Sequence, residues 1–104
     1  MKLLTLIKEQ IKQLEDDFES LSEDEKITII AQFEAIRDSG QFNMLDFYSV
    51  QRAAHENGYY EFVAFTENNR NKYKQILSGY EKYIDKIENT PKYRKLITKY
   101  SLEE

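Results

Sequence analysis

The chain has 104 residues, of which 40% are hydrophobic and 33% are charged, and its formal net charge is −4. This length suits one domain, and this balance of residues is ordinary for a globular protein and excludes a disordered one. The absence of cysteine excludes disulfides and thiol chemistry, and no apolar run approaches the roughly 18 residues of a membrane span. The apolar start is followed too early by Lys8 and Glu9 for a signal peptide. We therefore expect a cytoplasmic protein that needs no membrane.

One proline and three glycines in this length indicate helices, and we predict a single all-α domain over residues 1–104, a compact bundle of five or six helices. The first predicted helix, residues 1–21, carries a heptad seam of apolar residues: Leu4, Ile7, Ile11, Leu14, Phe18 and Leu21. The seam is shorter than the three to four heptads of a free coiled coil. We expect it to pack inside the bundle, with a dimer seam as the alternative.

The second predicted helix begins with a capping box, since the Ser22 hydroxyl can accept an amide hydrogen bond three residues on, while Glu25 reaches back. It ends near Asp38. Its predicted buried face consists of Ile27, Ile30, Phe33 and Ile36.

The next two helices are separated by Asn57 and Gly58, a sequence that suits a left-handed helix end. We predict Asn43 as the N-cap of the third helix, with Asp46 at the N3 position. The predicted buried face of this helix is Met44, Phe47, Val50 and Ala54. The fourth helix, residues 59–67, is apolar on several faces, and we expect it to be the central one.

The fifth predicted helix follows a break rich in asparagine and has a second heptad-like seam: Tyr73, Ile76, Tyr80, Tyr83 and Ile87. Gly79 lies within this helix, so the helix either tolerates a glycine at a cost of about 1 kcal/mol or kinks there. Thr90 and Pro91 are typical of a helix start. The last helix belongs to a tail rich in tyrosine and lysine, residues 80–104, and its apolar face is Tyr93, Leu96, Ile97 and Tyr100.

The middle of the chain carries a set of spaced motifs: Ile36-Arg37-x-Ser39-Gly40, Asn43-Met44-x-Asp46, Val50-Gln51, Ala54, Gly58-Tyr59-Tyr60-Glu61, Val63 and Tyr73. In these motifs the chain resembles a small family of domains of unknown function carried by phages and prophages of Gram-positive bacteria. The resemblance covers residues 30–79, and Phe62 stands where the family pattern has leucine. It implies a phage or prophage context and an all-helical core, but no mechanism.

Charge is unevenly distributed along the chain. Residues 1–69 hold 6 Lys/Arg and 14 Asp/Glu, whereas residues 70–104 hold 9 and 5. Seven carboxylates form what we call the acidic corner, and these are the candidate partner-binding residues: Glu15, Asp16, Asp17, Glu19, Glu23, Asp24 and Glu25. The corner is either a solvated turn between helices or a face that engages a basic groove on a partner. A third possibility is that the basic tail neutralises it.

Catalytic, metal and cofactor sites are not expected. A chain with one histidine and no cysteine cannot form the common zinc sites. We interpret His55 as a structural residue near a helix C-terminus, where the partial positive charge of the imidazole interacts favourably with the helix dipole. Ser49 and His55 would lie on different faces of one helix. Ala54 and Gly58 have helix-turn-helix spacing, but the following helix has no basic residue for phosphate contacts.

The sequence therefore predicts a non-enzymatic protein from a phage or prophage that binds another protein. Small phage proteins without catalytic groups include host-takeover and anti-defence inhibitors. We expect such a role here by analogy with the phage context and not from particular residues. The alternatives are a DNA-binding regulator of the helix-turn-helix type and a structural or assembly oligomer. A homodimer would use either the seam from Leu4 to Leu21 or the seam from Tyr73 to Ile87. Nucleic acid and membrane are not expected partners.

Overall fold

The computed structural model describes residues 17–100, and this part of the chain folds into five α-helices without a strand. They are α1 (Glu23–Asp38), α2 (Phe47–Glu56), α3 (Tyr60–Thr66), α4 (Arg70–Ile87) and α5 (Pro91–Tyr100). Together they contain 73% of the described residues. The predicted all-α bundle is confirmed.

The first predicted helix falls mostly outside the described residues, because only Phe18 and Leu21 of its seam are included. Asp17 to Ser20 form turns, and the Leu21 amide donates to the Phe18 carbonyl at 3.1 Å. The prediction of helix is wrong for this last stretch. The tertiary contact explains the difference, because the Phe18 amide donates to Gln75 Oε1 at 2.9 Å and the Phe18 ring is buried.

Helix α1 is the central element, since it packs against all four of the other helices. Its start is confirmed: the Ser22 hydroxyl accepts the Glu25 amide at 3.2 Å and donates to the Glu25 carboxylate at 3.0 Å. The predicted buried residues are all buried, and so are others on further faces of α1: Ile29, Ala31, Gln32 and Ala35.

Helix α3 is not central, contrary to the prediction. It buries only Phe62 and Thr66, while Tyr60 and Ala64 are exposed. Its aromatic content suggested burial, but one narrow face is enough to hold a helix of 7 residues against α1.

The start of α2 also differs from the prediction, because its N-cap is Asp46 and not Asn43. The Asp46 carboxylate accepts the Ser49 amide at 3.3 Å and the Ser49 hydroxyl at 2.7 Å. Asn43 instead closes the preceding turn: its side chain accepts the Leu45 amide and its carbonyl accepts the Asp46 amide, both at 2.9 Å. Met44 therefore precedes the helix and is half-buried.

The end of α2 is the predicted left-handed cap. Gly58 has φ +75°, its amide donates to the His55 carbonyl at 3.2 Å, and the Tyr59 amide donates to the Ala54 carbonyl at 2.8 Å. This pair of hydrogen bonds is a Schellman motif. It reverses the chain directly into α3.

Helix α3 has no side-chain cap of its own, and α1 supplies one. Gln32, which is fully buried on α1, accepts the Phe62 amide at 3.0 Å through Oε1 and donates to Glu61 at 2.7 Å through Nε2. The Phe62 amide is one of the N-terminal amides that a helix leaves without an internal partner. A glutamine on the central helix thus orients α3.

Helix α4 runs without interruption through Gly79. A Cβ at that position would lie 2.5 Å from Phe18 Cε2, so the glycine leaves room for the Phe18 ring. The residues of the Tyr73 to Ile87 seam are buried or half-buried and face the rest of the chain. An asparagine of the predicted break caps α4: Asn69 accepts the amides of Asn71 and Lys72.

Helix α5 begins where the sequence predicts, with Pro91 as its first residue. The Thr90 hydroxyl accepts the Tyr93 amide at 3.2 Å and donates to the Ile87 carbonyl at 2.7 Å. Tyr93 is buried, and α5 covers one side of α1.

Candidate functional site

The acidic corner is divided by the structure into exposed and engaged carboxylates. Glu15 and Asp16 lie outside the described residues. Glu23, Asp24 and Glu25 are exposed in the first turn of α1, where carboxylates stabilise the positive end of a helix. Asp17 and Glu19 are half-buried in the preceding turn. Among the five described carboxylates of the acidic corner, the exposed ones are therefore those at the start of α1.

Glu19 is engaged inside the chain. Its carboxylate accepts a short hydrogen bond from the Tyr83 hydroxyl, and it lies 3.5 Å from Lys82 Nζ and 4.0 Å from Lys26 Nζ. The Tyr83 hydrogen bond, together with the two lysines, lowers the pKa of Glu19. This carboxylate joins the turn to α1 and α4.

Asp24 is also paired, although its side chain is 78% exposed. Lys92 Nζ lies 3.1 Å from Asp24 Oδ1 and 3.4 Å from the Asp24 carbonyl oxygen. This contact joins the start of α5 to the start of α1. Within residues 17–100, neither Glu23 nor Glu25 lies within 4.0 Å of a lysine or arginine nitrogen.

The tyrosines of the basic tail contribute to packing. Tyr73 and Tyr93 are buried, and Tyr80 and Tyr83 are half-buried against the core. Two lysines of the tail, Lys82 and Lys92, are the partners of Glu19 and Asp24. The basic half of the sequence therefore neutralises part of the acidic half, which is the third of the possibilities given for the acidic corner.

Ser49 and His55 have separate environments on α2. The Ser49 hydroxyl donates to Asp46 as part of the α2 cap, and His55 is exposed in the last turn of α2. Among the described residues no group of three or more histidine and carboxylate side chains is placed to hold a metal ion. The helix-turn-helix alternative would place α3 on DNA, and its exposed residues include Tyr60 and Glu61.

Sequence reasoning missed a polar cluster between α1, α4 and α5. Glu34 is largely covered; its Oε2 lies 3.6 Å from Arg37 Nη1, yet this buried oxygen has no hydrogen-bond partner within residues 17–100. Arg37 donates to the Tyr80 hydroxyl at 2.6 Å. Burial raises the pKa of Glu34, and burial together with Glu34 raises the pKa of Tyr80 to about 12. In the sequence Glu34 has the appearance of an ordinary exposed helix residue.

Three large hydrophobic side chains are exposed in the described part of the chain, and sequence reasoning missed them. Leu45 is 87% exposed, Tyr60 is 65% exposed and Tyr48 is 53% exposed. Leu45 could have been identified, because the turn-forming Asn43 and Asp46 flank it.

No helix in the described part of the chain has the length and apolar character that crossing a bilayer requires.

Comparison with known proteins gives one finding. Neither the curated proteins nor the solved structures provide a match to this sequence. The model of one family, described as Domain of unknown function (DUF5049), matches residues 24–80, a span that begins in the first turn of α1 and ends within α4. This match covers more than half of the chain, and the protein therefore belongs to the DUF5049 family.

Proposed function

We propose that this protein is encoded by a phage or prophage and acts in the cytoplasm of the bacterial host by binding another protein, as a host-takeover or anti-defence inhibitor. The phage context rests on the spaced motifs in residues 36–73. The observation that supports binding by the acidic corner is the run of three exposed carboxylates, Glu23, Asp24 and Glu25, in the first turn of α1.

These carboxylates are attached to the most deeply buried helix of the bundle. Because the other helices hold α1 in place, the backbone that carries the three charges is ordered before a partner arrives. Preorganised charges lose little conformational freedom on binding, and complementary charges accelerate encounter and fix register. A partner complementary to these carboxylates would be a protein with a basic groove of the kind that binds a polyanion.

The structure identifies which charges to test. Glu23 and Glu25 are exposed and without an ion pair among the described residues, whereas Asp24 already binds Lys92. The test compares wild type with the Glu23→Lys/Glu25→Lys variant in affinity capture from a lysate of a Gram-positive bacterium, followed by mass spectrometry. We expect the captured protein to be lost from the variant, since like charges at a complementary interface cost several kcal/mol.

The control is the Glu56→Lys/Glu81→Lys variant, which changes the net charge equally at exposed positions on α2 and α4. Equal capture by both variants would contradict the proposal. The carboxylates at the start of α1 also stabilise the helix by about 0.3–1 kcal/mol each. A Glu23→Gln/Glu25→Gln variant removes this stabilisation and the negative charge without adding positive charge, and its urea melt beside its capture separates lost binding from lost stability.

Two further measurements address the alternatives. A gel shift with random duplex DNA at low salt would reveal a DNA-binding regulator, and retarded duplex would overturn the proposal. Sedimentation equilibrium would reveal an assembly oligomer. The Tyr73 to Ile87 seam faces the chain's own core, so a dimer through it would require the bundle to open.

A further inference from the structure

The turn before α2 presents Leu45 on a fixed backbone. Leu45 is 87% exposed, yet its amide donates to Asn43 Oδ1 and the Asp46 amide donates to the Asn43 carbonyl, both at 2.9 Å. The Met44 carbonyl accepts the Tyr73 hydroxyl at 2.6 Å, which ties the turn to α4. Three hydrogen bonds thus hold a turn whose tip is a leucine in water.

An exposed tyrosine and an exposed arginine follow this turn on α2, and a second arginine contacts the tyrosine. Tyr48 follows Leu45 by three residues, and the Arg70 guanidinium lies 5.1 Å from the centre of the Tyr48 ring. Arg52 is exposed on α2 one helical turn after Tyr48. Within residues 17–100, neither arginine has a carboxylate within 4.0 Å. The pKa of Asp46 is lowered chiefly by its hydrogen bonds with Ser49 and to a smaller extent by the charge of Arg52. We call Leu45, Tyr48, Arg52 and Arg70 the Leu45 patch.

The composition of the Leu45 patch is that of a binding surface. Tyrosine and arginine are enriched among the residues that dominate interface energies. The leucine sits on a backbone that is already ordered, so binding would cost little further ordering. The arginines carry fork-shaped donors that match carboxylates. Their charge is opposite to that of the chain as a whole, which is −4.

We propose that the Leu45 patch binds an acidic segment of a partner protein. Leu45 enters an apolar pocket or a gap between apolar side chains of that segment, and carboxylates of the segment bind Arg52 and Arg70. This surface is chemically opposite to the acidic corner, which would take a basic partner. The proposal therefore goes beyond the proposed function and stands independently of it.

The test is a selection of yeast-displayed random dodecapeptides on the immobilised full chain. We expect the enriched peptides to place Asp or Glu beside Leu, Ile or Phe, and to bind less well as salt rises. Leu45→Ala and Arg70→Ala should each weaken the selected peptides by at least about tenfold, as hot-spot truncations do. Both residues are exposed, so the variants should fold.

The matched controls are Tyr60→Ala and Arg94→Ala, which truncate an exposed tyrosine and an exposed arginine elsewhere. They should leave peptide binding unchanged. Peptides without acidic residues, no enrichment, or equal binding to Leu45→Ala and wild type would each overturn the proposal. Peptides that bind every other variant but do not bind the Glu23→Gln/Glu25→Gln variant would occupy the acidic corner, and this result would also overturn the proposal. A dimer in sedimentation equilibrium that Leu45→Ala abolishes would identify a second copy as the occupant, and would also overturn it.

Discussion

Replacement of Gln32 by leucine tests whether α1 caps α3. Gln32 is fully buried and accepts the Phe62 amide at 3.0 Å. Leucine is similar in size, so the change removes hydrogen bonds with little change in volume. Phe62 is also fully buried, so its amide would be left in the interior without this partner.

The expected cost follows from these two hydrogen bonds. A buried polar group left without a partner costs about 1–3 kcal/mol. Glu61 loses the second bond, at 2.7 Å, but it is exposed and can be hydrated instead, so this loss adds little. We expect Gln32→Leu to lower the free energy of unfolding by about 2 kcal/mol, which shifts a urea midpoint by roughly 1 M.

Gln51→Leu is the matched control. Gln51 is half-buried and donates to the Thr66 hydroxyl at 2.9 Å, and that hydroxyl keeps its own bond to the Phe62 carbonyl at 3.1 Å. No buried amide is left without a partner, so this variant should cost about 1 kcal/mol or less. If Gln32→Leu proves no more costly than Gln51→Leu in urea melts, the capping argument is refuted.

Three further predictions concern stability. Gly79→Ala should destabilise by up to about 2 kcal/mol, because its Cβ would lie 2.5 Å from Phe18 Cε2 and an overpacking cost of about 1–3 kcal/mol exceeds alanine's gain in helix propensity of about 1 kcal/mol. Asp46→Ala should cost about 1 kcal/mol as a lost N-cap and Asn43→Ala less, because Asn43 holds only the preceding turn. Glu34→Gln should raise stability near pH 7 and flatten its pH dependence. Burial raises the folded-state pKa of Glu34, so its contribution is most favourable below the unfolded pKa and is lost as pH rises through the folded pKa.

Urea melts at several pH values measure all three. A Gly79→Ala variant more stable than wild type would show that the Phe18 ring moves aside at no cost. Asn43→Ala costing more than Asp46→Ala would restore Asn43 as the cap. A Glu34→Gln variant that parallels wild type between about pH 4 and about pH 7 would show that the carboxylate is hydrated in the folded protein.

Helix boundaries set by neighbouring residues could be predicted from the sequence. Ser22, Gly58 and Thr90 each act on backbone groups within a few positions, and each is observed in the predicted role. Asn43 and Asp46 show the limit of this reasoning. Either side chain can cap a helix, and the hydrogen bond from Tyr73 to the intervening turn could not be read from local pattern.

The apolar residues on several faces of the segment 59–67 predict the wrong central helix, because α1 has the wider buried surface. The run from Ile27 to Ala31 contains apolar residues that cannot share one face of a helix, and this indicates burial on several sides. The sequence alone could not predict which carboxylates of the acidic corner are exposed and which are engaged inside the chain. Glu19 and its partner Tyr83 are 64 positions apart, and only the packing of the turn against α4 brings them together.

The arrangement of α1 has a consequence for synthesis on the ribosome. The helix that every other helix covers is made first among the five, and α5, which shields one of its sides, is made last. At about 5–20 residues per second, the interval between Asp38 and Tyr100 lasts roughly 3–12 s. During that time Ile29, Ile30 and Ile36 lack part of their final cover. A nascent chain stalled before residue 91 would therefore expose isoleucine side chains of α1. Exposed hydrophobic segments of this kind are bound by chaperones and degraded by proteases.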